Sequence, residues 1–226
     1  MLGAETRLVA LIGDPVAGSL SPRMQNAAFA ALGLDWAYVA LRVEERALEA
    51  AVDGLVALRF AGANVTAPHK RAVAELVDAE ARSVNTLVVD NGLLRGWTTD
   101  TAILAGLVAE RPVIIGGGGA ATAFSEALPH ARTFTRRAEW PPATRGADLV
   151  VNATPVRDEV VARVGTGQTL VDLPYPGSAT AAAARAAGAR VFDGLDVLVA
   201  QGAAAFELWT GLPAPVDVMR AAVHAS

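Results

Sequence analysis

The chain has 226 residues, 53% of them apolar, 5% aromatic and 19% charged, which suits one large or two small domains and excludes disordered or fibrous sequence. Nineteen basic residues against 23 acidic ones leave a formal charge of -4, so no cationic surface for nucleic acid is expected. There is no cysteine, which removes disulfides, thiolate metal sites and cysteine nucleophiles, and His69, His130 and His224 lie too far apart to suggest a bound metal.

Taken in order, Arg7 to Ile12 reads as a buried strand, followed by a Gly/Pro/Ser loop through Ser19. Ser21-Pro22 is an expected N-cap and first-turn pair, and Gly33 closes that helix. Trp36 to Val43 is a second strand, Glu44 to Leu58 a helix with its acids at the N-terminal end, and Ala61 to Val65 a third strand entering a helix at Thr66 and Pro68. Val84 to Val89 and Leu93 to Thr98 flank Asn91-Gly92, a two-residue hairpin signal. Thr99 to Glu110 is expected to be helical.

Arg111-Pro112 starts a second α/β series. Val113 to Ile115 runs into four glycines, Gly116 to Gly119, and an Ala-rich helix follows from Ala120. Later strands are expected at Ala131 to Thr135, Asp148 to Asn152, Thr169 to Leu173 and Arg190 to Phe192, with an Ala-rich helix before the last. Arg136 to Ala147 is too short and Pro-rich for a crossover helix, so this sheet reads as a trimmed doubly wound domain. Beyond Gly194 a long helix and a final one, Val216 to Val223, are expected to return to the first series. The expected domains are therefore residues 1–110 joined by 195–226, and residues 111–194. Leu8 to Ile12 is too short for a secretory signal, and the longest apolar stretch, Leu195 to Trp209, is interrupted by Asp196, Gln201 and Glu207, so no membrane partner and a cytoplasmic location are expected.

One count carries chemical information: 18 of the basic residues are Arg and only Lys70 is Lys. Base composition accounts for the bias. Arg keeps its proton in proteins while Lys can be brought into working range, so the one exception is a candidate acid–base group. It ends the run Asn64-Val65-Thr66-Ala67-Pro68-His69-Lys70, at the carboxyl end of a strand, where α/β folds place ligands. Thr99-Asp100 likewise follows a strand, and its carboxylate could hold and share the lysine proton. The plainer reading makes Thr66 and Thr99 caps and Lys70 and Asp100 surface charges. Ser19 and Ser21 put two hydroxyls on a loop, enough to hold a carboxylate, while the amides of Asn85 and Gln201 are either satisfied core groups or ligand contacts.

Gly116-x-Gly118-x-x-Ala121 follows a strand and opens a helix, so Gly116, Gly118, Gly119 and Ala120 could present free N–H groups to a pyrophosphate. Roughly 20 residues on, where an acid would hold the ribose of NAD, stands Thr135-Arg136-Arg137. Two guanidiniums there suit a 2′-phosphate, favouring NADP over NAD; the alternative is a pair of solvated arginines.

In sequence order these pieces resemble the shikimate dehydrogenases. Gly13-Asp14-Pro15, Ser19-Leu20-Ser21-Pro22 with Asn26, Asn64 to Lys70, Val84-Asn85-Thr86, Thr99-Asp100, Gly116 to Gly119, Asn152-Ala153-Thr154-Pro155, Asp172 with Tyr175 and Pro176, and Gly194 to Gln201 with Trp209-Thr210-Gly211 each look like a family motif. Departures include Gly18 where His is usual, Thr98 where Asn is usual, Ile103 for a glycine, and Val197 for a methionine. The resemblance implies an N-terminal α/β substrate-binding domain, a shortened Rossmann-like NADP-binding domain and C-terminal helices packing back on the first. It also implies reversible NADPH-dependent reduction of 3-dehydroshikimate to shikimate by a monomer or homodimer. Lys70 would be the proton donor and acceptor with Asp100 beside it. Ser19 and Ser21, helped by Tyr175, would hold the substrate carboxylate; Thr66, Asn85, Asp100 and Gln201 would serve the ring hydroxyls, with Asn64 among the substrate-binding residues. Asn152, Thr154, Gly194 and Val197 would join the glycine turn and the arginines around the cofactor. Quinate or aminoshikimate dehydrogenases would use nearly the same residues, methylenetetrahydrofolate dehydrogenases lack the Ser-x-Ser-Pro motif, and a shikimate-binding sensor would keep the pocket without turnover.

Overall fold

Two five-stranded sheets organise the chain; the computed structural model describes residues 3–225. Contacts divide it into two units, Met1–Thr99 with Val199–Ser226, and Asp100–Leu198. Among the described residues no helix is long and apolar enough to cross a membrane.

In the first unit β1 (Arg7–Gly13), β2 (Trp36–Arg42) and β3 (Gly62–Val65) are parallel, and β4 (Thr86–Asp90) and β5 (Leu93–Trp97) extend the sheet antiparallel in the order β2-β1-β3-β4-β5. Val9, Ala10, Leu11 and Ile12 are all at most 3% exposed, a continuous apolar run as expected of a strand covered on both faces. One face packs on α2 (Leu48–Ala57) and α3 (Lys70–Leu76) through Val52, Leu55 and Val73. Elsewhere in this unit, α1 (Ser21–Ala31) contacts α7 (Val216–His224). The later part of α6 (Gly194–Thr210) joins them, with Phe206 stacked on Phe29 at 5.4 Å. Burying a side chain of that size stabilises by about 1.5–3 kcal/mol. Trp209 Nε1 donates to the Leu87 carbonyl at 2.9 Å; a Cβ at Gly62 would run into both groups, so the close approach of helix and sheet requires glycine there.

The hairpin forms where Asn91-Gly92 predicts it, with both residues at positive φ (49° and 78°) as a primed turn requires. Two local expectations are corrected. Ser21 is the first helical residue rather than the cap, Leu20 occupying that position without a side-chain bond; Ser19 Oγ accepts from Ser21 N–H at 3.3 Å. Thr99 to Glu110 is not an α-helix and forms only a 3₁₀ turn at Ala102–Leu104. The N–H of Thr99 is committed to the Asn85 side chain at 2.6 Å, and Gly106 at φ 77° turns the chain out of helical geometry.

The second unit is an all-parallel sheet, β10-β9-β8-β6-β7. Its strands are β6 (Val113–Ile115), β7 (Arg132–Phe134), β8 (Leu149–Asn152), β9 (Thr169–Asp172) and β10 (Arg190–Phe192). On one face α4 (Gly119–Ala127) and the start of α6 bury Ile114, Phe124, Val171 and Val197. On the other face only α5 (Ala179–Ala186) is helical, since residues 135–148 and 153–168 cross between strands without one. Val161, Ala162 and Val164 of the second crossover, each 4% exposed, cover the sheet instead. Gln168 ties the two crossovers together: its Nε2 donates to Thr144 O at 3.0 Å and Ala147 O at 2.8 Å, and its Oε1 accepts from Gly165 N–H at 3.0 Å.

Candidate active site

In the first unit a buried polar network sits where β3 and β5 end and β4 begins. Tyr38, 2% exposed, donates its hydroxyl to Asn64 Oδ1 at 2.8 Å, and Asn64 Nδ2 donates to Asn85 O and Thr86 Oγ1, both at 3.1 Å. Both donors and the acceptor of Asn64 are therefore occupied within the unit. Asn85 Oδ1 accepts from Thr99 N–H at 2.6 Å, and its Nδ2 donates to Thr99 Oγ1 at 2.9 Å and to Gln201 Oε1 at 3.3 Å. This network brings together Asn64, Asn85 and Gln201 from positions far apart in sequence. It also fixes Thr99, so the chain leaves the network directly into Asp100, which is 7% exposed.

Lys70 is the first residue of α3, half-buried, with its carbonyl accepting from Val84 N–H at 2.9 Å. Its neighbour His69 is 1% exposed and donates Nε2–H to the Val43 carbonyl at 2.6 Å. Thr66 is half-buried at the exit of β3, with its N–H bonded to Ile12 O at 2.9 Å. Ser19 is half-buried and Ser21 buried at the start of α1. Every residue described in these two paragraphs except Asp100 belongs to the first unit. The threonine at 99 is a network member rather than a helix cap, and Tyr38, Thr86 and Thr99 complete a scaffold that sequence spacing does not announce.

In the second unit the glycine turn lies between the carboxyl ends of β7 and β8, where strand order reverses, the usual ligand crevice of an open α/β sheet. Gly116 has φ 136°, and a Cβ there would lie 2.9 Å from the Ala153 carbonyl oxygen. Gly116 N–H donates to Phe134 O at 2.9 Å, and Ala153 N–H to Ile115 O at 2.8 Å, so both neighbouring loops are drawn against the turn. A Cβ at Gly118 would meet nothing within 4 Å, and α4 begins with no side-chain cap. Open space in front of uncapped helical N–H groups, including those of Gly119 and Ala120, fits a dinucleotide pyrophosphate.

Beside the turn, Asn152 is fully buried. Its Oδ1 accepts from Thr154 Oγ1 at 2.7 Å and Thr154 N–H at 3.2 Å, while its Nδ2 donates to Asp172 Oδ1 at 2.7 Å. Asp172 Oδ2 accepts from Ser178 Oγ at 2.6 Å, and Ser178 Oγ caps α5 by accepting from Ala181 N–H at 3.0 Å. Burial pushes the Asp172 carboxyl above its usual range, partly offset by the Ser178 and Asn152 bonds. Beyond the motifs that carry the family resemblance, the sequence marks this arrangement only in that Asn152 and Asp172 each end an apolar strand.

Arg136 stands two residues beyond β7, its Nη2 bonded to Glu159 Oε2 at 3.1 Å and its Cζ 5.1 Å from the Trp140 ring centroid; Arg137 is exposed. Gly194 opens α6 so close to the Pro174 carbonyl that no Cβ fits. Val197 packs into the core at 7% exposure, and Tyr175 is half-buried after β9. Among the described residues no cluster of His, Asp and Glu is arranged to hold a metal ion.

Comparison with known proteins converges on one family. The family model described as the shikimate dehydrogenase substrate binding domain matches residues 11–87, and that of the shikimate 5′-dehydrogenase C-terminal domain matches residues 194–224. The chain is 41% identical over 271 aligned residues to a shikimate dehydrogenase (NADP(+)) of Moorella thermoacetica, covering 96% of this chain and 92% of that protein. The alignment is longer than the chain itself, so this sequence lacks internal stretches that its relative has. A shikimate dehydrogenase structure from Aquifex aeolicus superposes with a TM-score of 0.87 at 28% identity, covering 100% of both chains. One from Thermus thermophilus in complex with NADP(H) and shikimate gives 0.82 at 30% identity, covering 96% of this chain and 98% of that one. At this identity and coverage, the chain belongs to the shikimate dehydrogenase family.

Proposed function

We propose that the protein catalyses the reversible NADP-dependent reduction of 3-dehydroshikimate to shikimate. The observation that carries this reading is the Asn64–Asn85–Thr99–Gln201 network: buried amides and hydroxyls held at strand ends, immediately before Asp100. Fixed donors and acceptors of this kind suit a substrate rich in hydroxyl groups, because polar partners held in place discriminate strongly against analogues that leave them unpaired.

The first unit is the proposed substrate domain and the second the proposed cofactor domain. Bound NADPH supplies the hydride to the ring carbonyl carbon. Lys70 gives the carbonyl oxygen its proton in reduction and removes it in oxidation, with Asp100 as its proposed carboxylate partner. Ser19, Ser21 and Tyr175 receive the substrate carboxylate through their hydroxyls. Thr66, Asn85 and Gln201 address the ring hydroxyls, and Asn64 positions Asn85 through its backbone carbonyl. Gly118, Gly119 and Ala120 take the pyrophosphate, and Gly116, whose N–H is spent on Phe134 O, makes the close turn rather than donating to it. Asn152 and Thr154 shape the adjoining loop, and Gly194 and Val197 set the start of α6 in the same unit. Arg136 and Arg137 take the 2′-phosphate.

Steady-state oxidation of shikimate, run with NADP and NAD in parallel and quinate as second substrate, tests the reading. Turnover with shikimate and NADP is expected; folded protein that binds shikimate yet is silent with every pair would overturn it. Arg136→Ala is expected to weaken NADP by about ten- to a hundredfold, the worth of a charge-assisted hydrogen bond, and to leave NAD almost unchanged. Equal losses for the two cofactors in equilibrium titration would remove Arg136 from this role.

A further inference from the structure

Arg136 is already engaged by two groups, both supplied by the crossovers that lack helices. Trp140, in the β7-to-β8 crossover, lies 5.1 Å from the guanidinium carbon, and Glu159, in the β8-to-β9 crossover, accepts from Nη2 at 3.1 Å. The two partners differ in what an incoming phosphate would do to them. An aromatic face leaves the in-plane N–H groups of a guanidinium available, whereas a carboxylate uses the same N–H fork that a phosphate needs.

The backbone around Glu159 is fixed. Ala179 N–H donates to Arg157 O at 2.7 Å, Thr180 Oγ1 donates to Glu159 O at 3.3 Å, and Thr180 Oγ1 accepts from Val161 N–H at 3.0 Å. Thr180 is fully buried, so the loop is stapled to the first turn of α5 on both sides of the glutamate. Glu159 is thereby presented to Arg136, at the carboxyl end of β7 and next to the glycine turn that bonds Phe134.

We propose that Glu159 sets the preference of the glycine-turn site for a 2′-phosphorylated over an unphosphorylated dinucleotide, by competing with the phosphate for the Arg136 guanidinium. The proposal rests on the reading that Arg136 meets the 2′-phosphate. In the free protein the carboxylate neutralises Arg136; on binding, the guanidinium exchanges carboxylate for phosphate while its stack on Trp140 keeps the arm in place. Arg136 and Glu159 side chains are 58% and 71% exposed, so the pair is screened by water and its release changes affinity by a modest factor.

Equilibrium titrations of NADP and NAD with wild type, Glu159→Gln, Arg136→Ala and the double variant test this. Glu159→Gln is expected to tighten NADP about two- to fivefold and to leave NAD unchanged, and the double variant to bind NADP as weakly as Arg136→Ala alone. Unchanged or weakened NADP binding in Glu159→Gln overturns the proposal, as does equal tightening of both cofactors, which would be a general charge effect. A gain that persists without Arg136 overturns the competition route. If Arg136→Ala weakens both cofactors alike, the 2′-phosphate reading itself fails and takes the proposal with it. If Arg136→Ala is selective and Glu159→Gln is flat, only the proposal fails.

Discussion

Replacing Lys70 with alanine is expected to lower kcat by about 10²–10⁴ while the KM for shikimate stays within a few-fold. The split follows from where the residue sits. Its backbone is held by Val84 N–H on its carbonyl, by the His69 bond to Val43, and by Val73, fully buried one turn along α3. Removing the ammonium therefore takes away proton transfer and leaves the scaffold that holds substrate. Lys70→Arg is expected to restore little, because a guanidinium keeps its proton at any working pH. Steady-state kinetics in the oxidative direction decide the matter: a loss carried mainly by KM would make Lys70 a binding residue.

Gly116→Ala should weaken NADP and NAD alike, by about tenfold or more, and leave shikimate binding unaltered. A side chain at φ 136° is strained, and its Cβ would press to 2.9 Å from Ala153 O; conformations of that kind cost on the order of 1–3 kcal/mol. Relief requires the turn or the Ala153–Thr154 loop to shift, which moves the N–H groups of α4 away from the pyrophosphate. Of the proposed substrate residues only Asp100 and Tyr175 share this unit, while Ser19, Ser21, Thr66, Asn85 and Gln201 belong to the other, so shikimate affinity is expected to be almost independent of this strain. Titrations of NADP, NAD and shikimate with one preparation separate the effect from misfolding. It contrasts with Arg136→Ala, for which the two cofactors part company; unchanged cofactor affinity in Gly116→Ala would discard the cradle.

The periodic and punctuating parts of this fold are legible in the sequence. Apolar runs bounded by Gly and Pro mark β1, β3, β6, β8 and β9, because strands buried on both faces need no alternation. Asn91-Gly92 announces its hairpin, since few other pairs accept two positive φ values in succession. What fails to show is whatever depends on a distant partner. Thr99 reads as a helix start until Asn85 claims its N–H, and Ser21 reads as a cap until Ser19 takes that region's hydroxyl bond.

The chemistry divides the same way. Lys70 stands out by composition and the glycine turn by spacing. Glu159 and Trp140 carry no sequence signal, because their relation to Arg136 is made by loops whose course no helical or strand period dictates. Asn64 shows the converse limit. Its residue type and position in the motif suggest a ligand contact, and only the bonds to Tyr38, Asn85 and Thr86 reveal an amide already spent.

The side-chain tie between the helix-less crossovers changes where this unit tolerates mutation. A crossover helix spreads its cohesion over many equivalent backbone bonds, so most single substitutions on it remove almost nothing. Here much of the tie between the two loops falls on one carboxamide, that of Gln168, which serves Thr144, Ala147 and Gly165 at once, beside the bonds of Thr144 Oγ1 to Arg163 O and of Arg136 to Glu159. Where a periodic element would spread the constraint, these crossovers concentrate it: exposed loop residues are free to drift, and Gln168 is not.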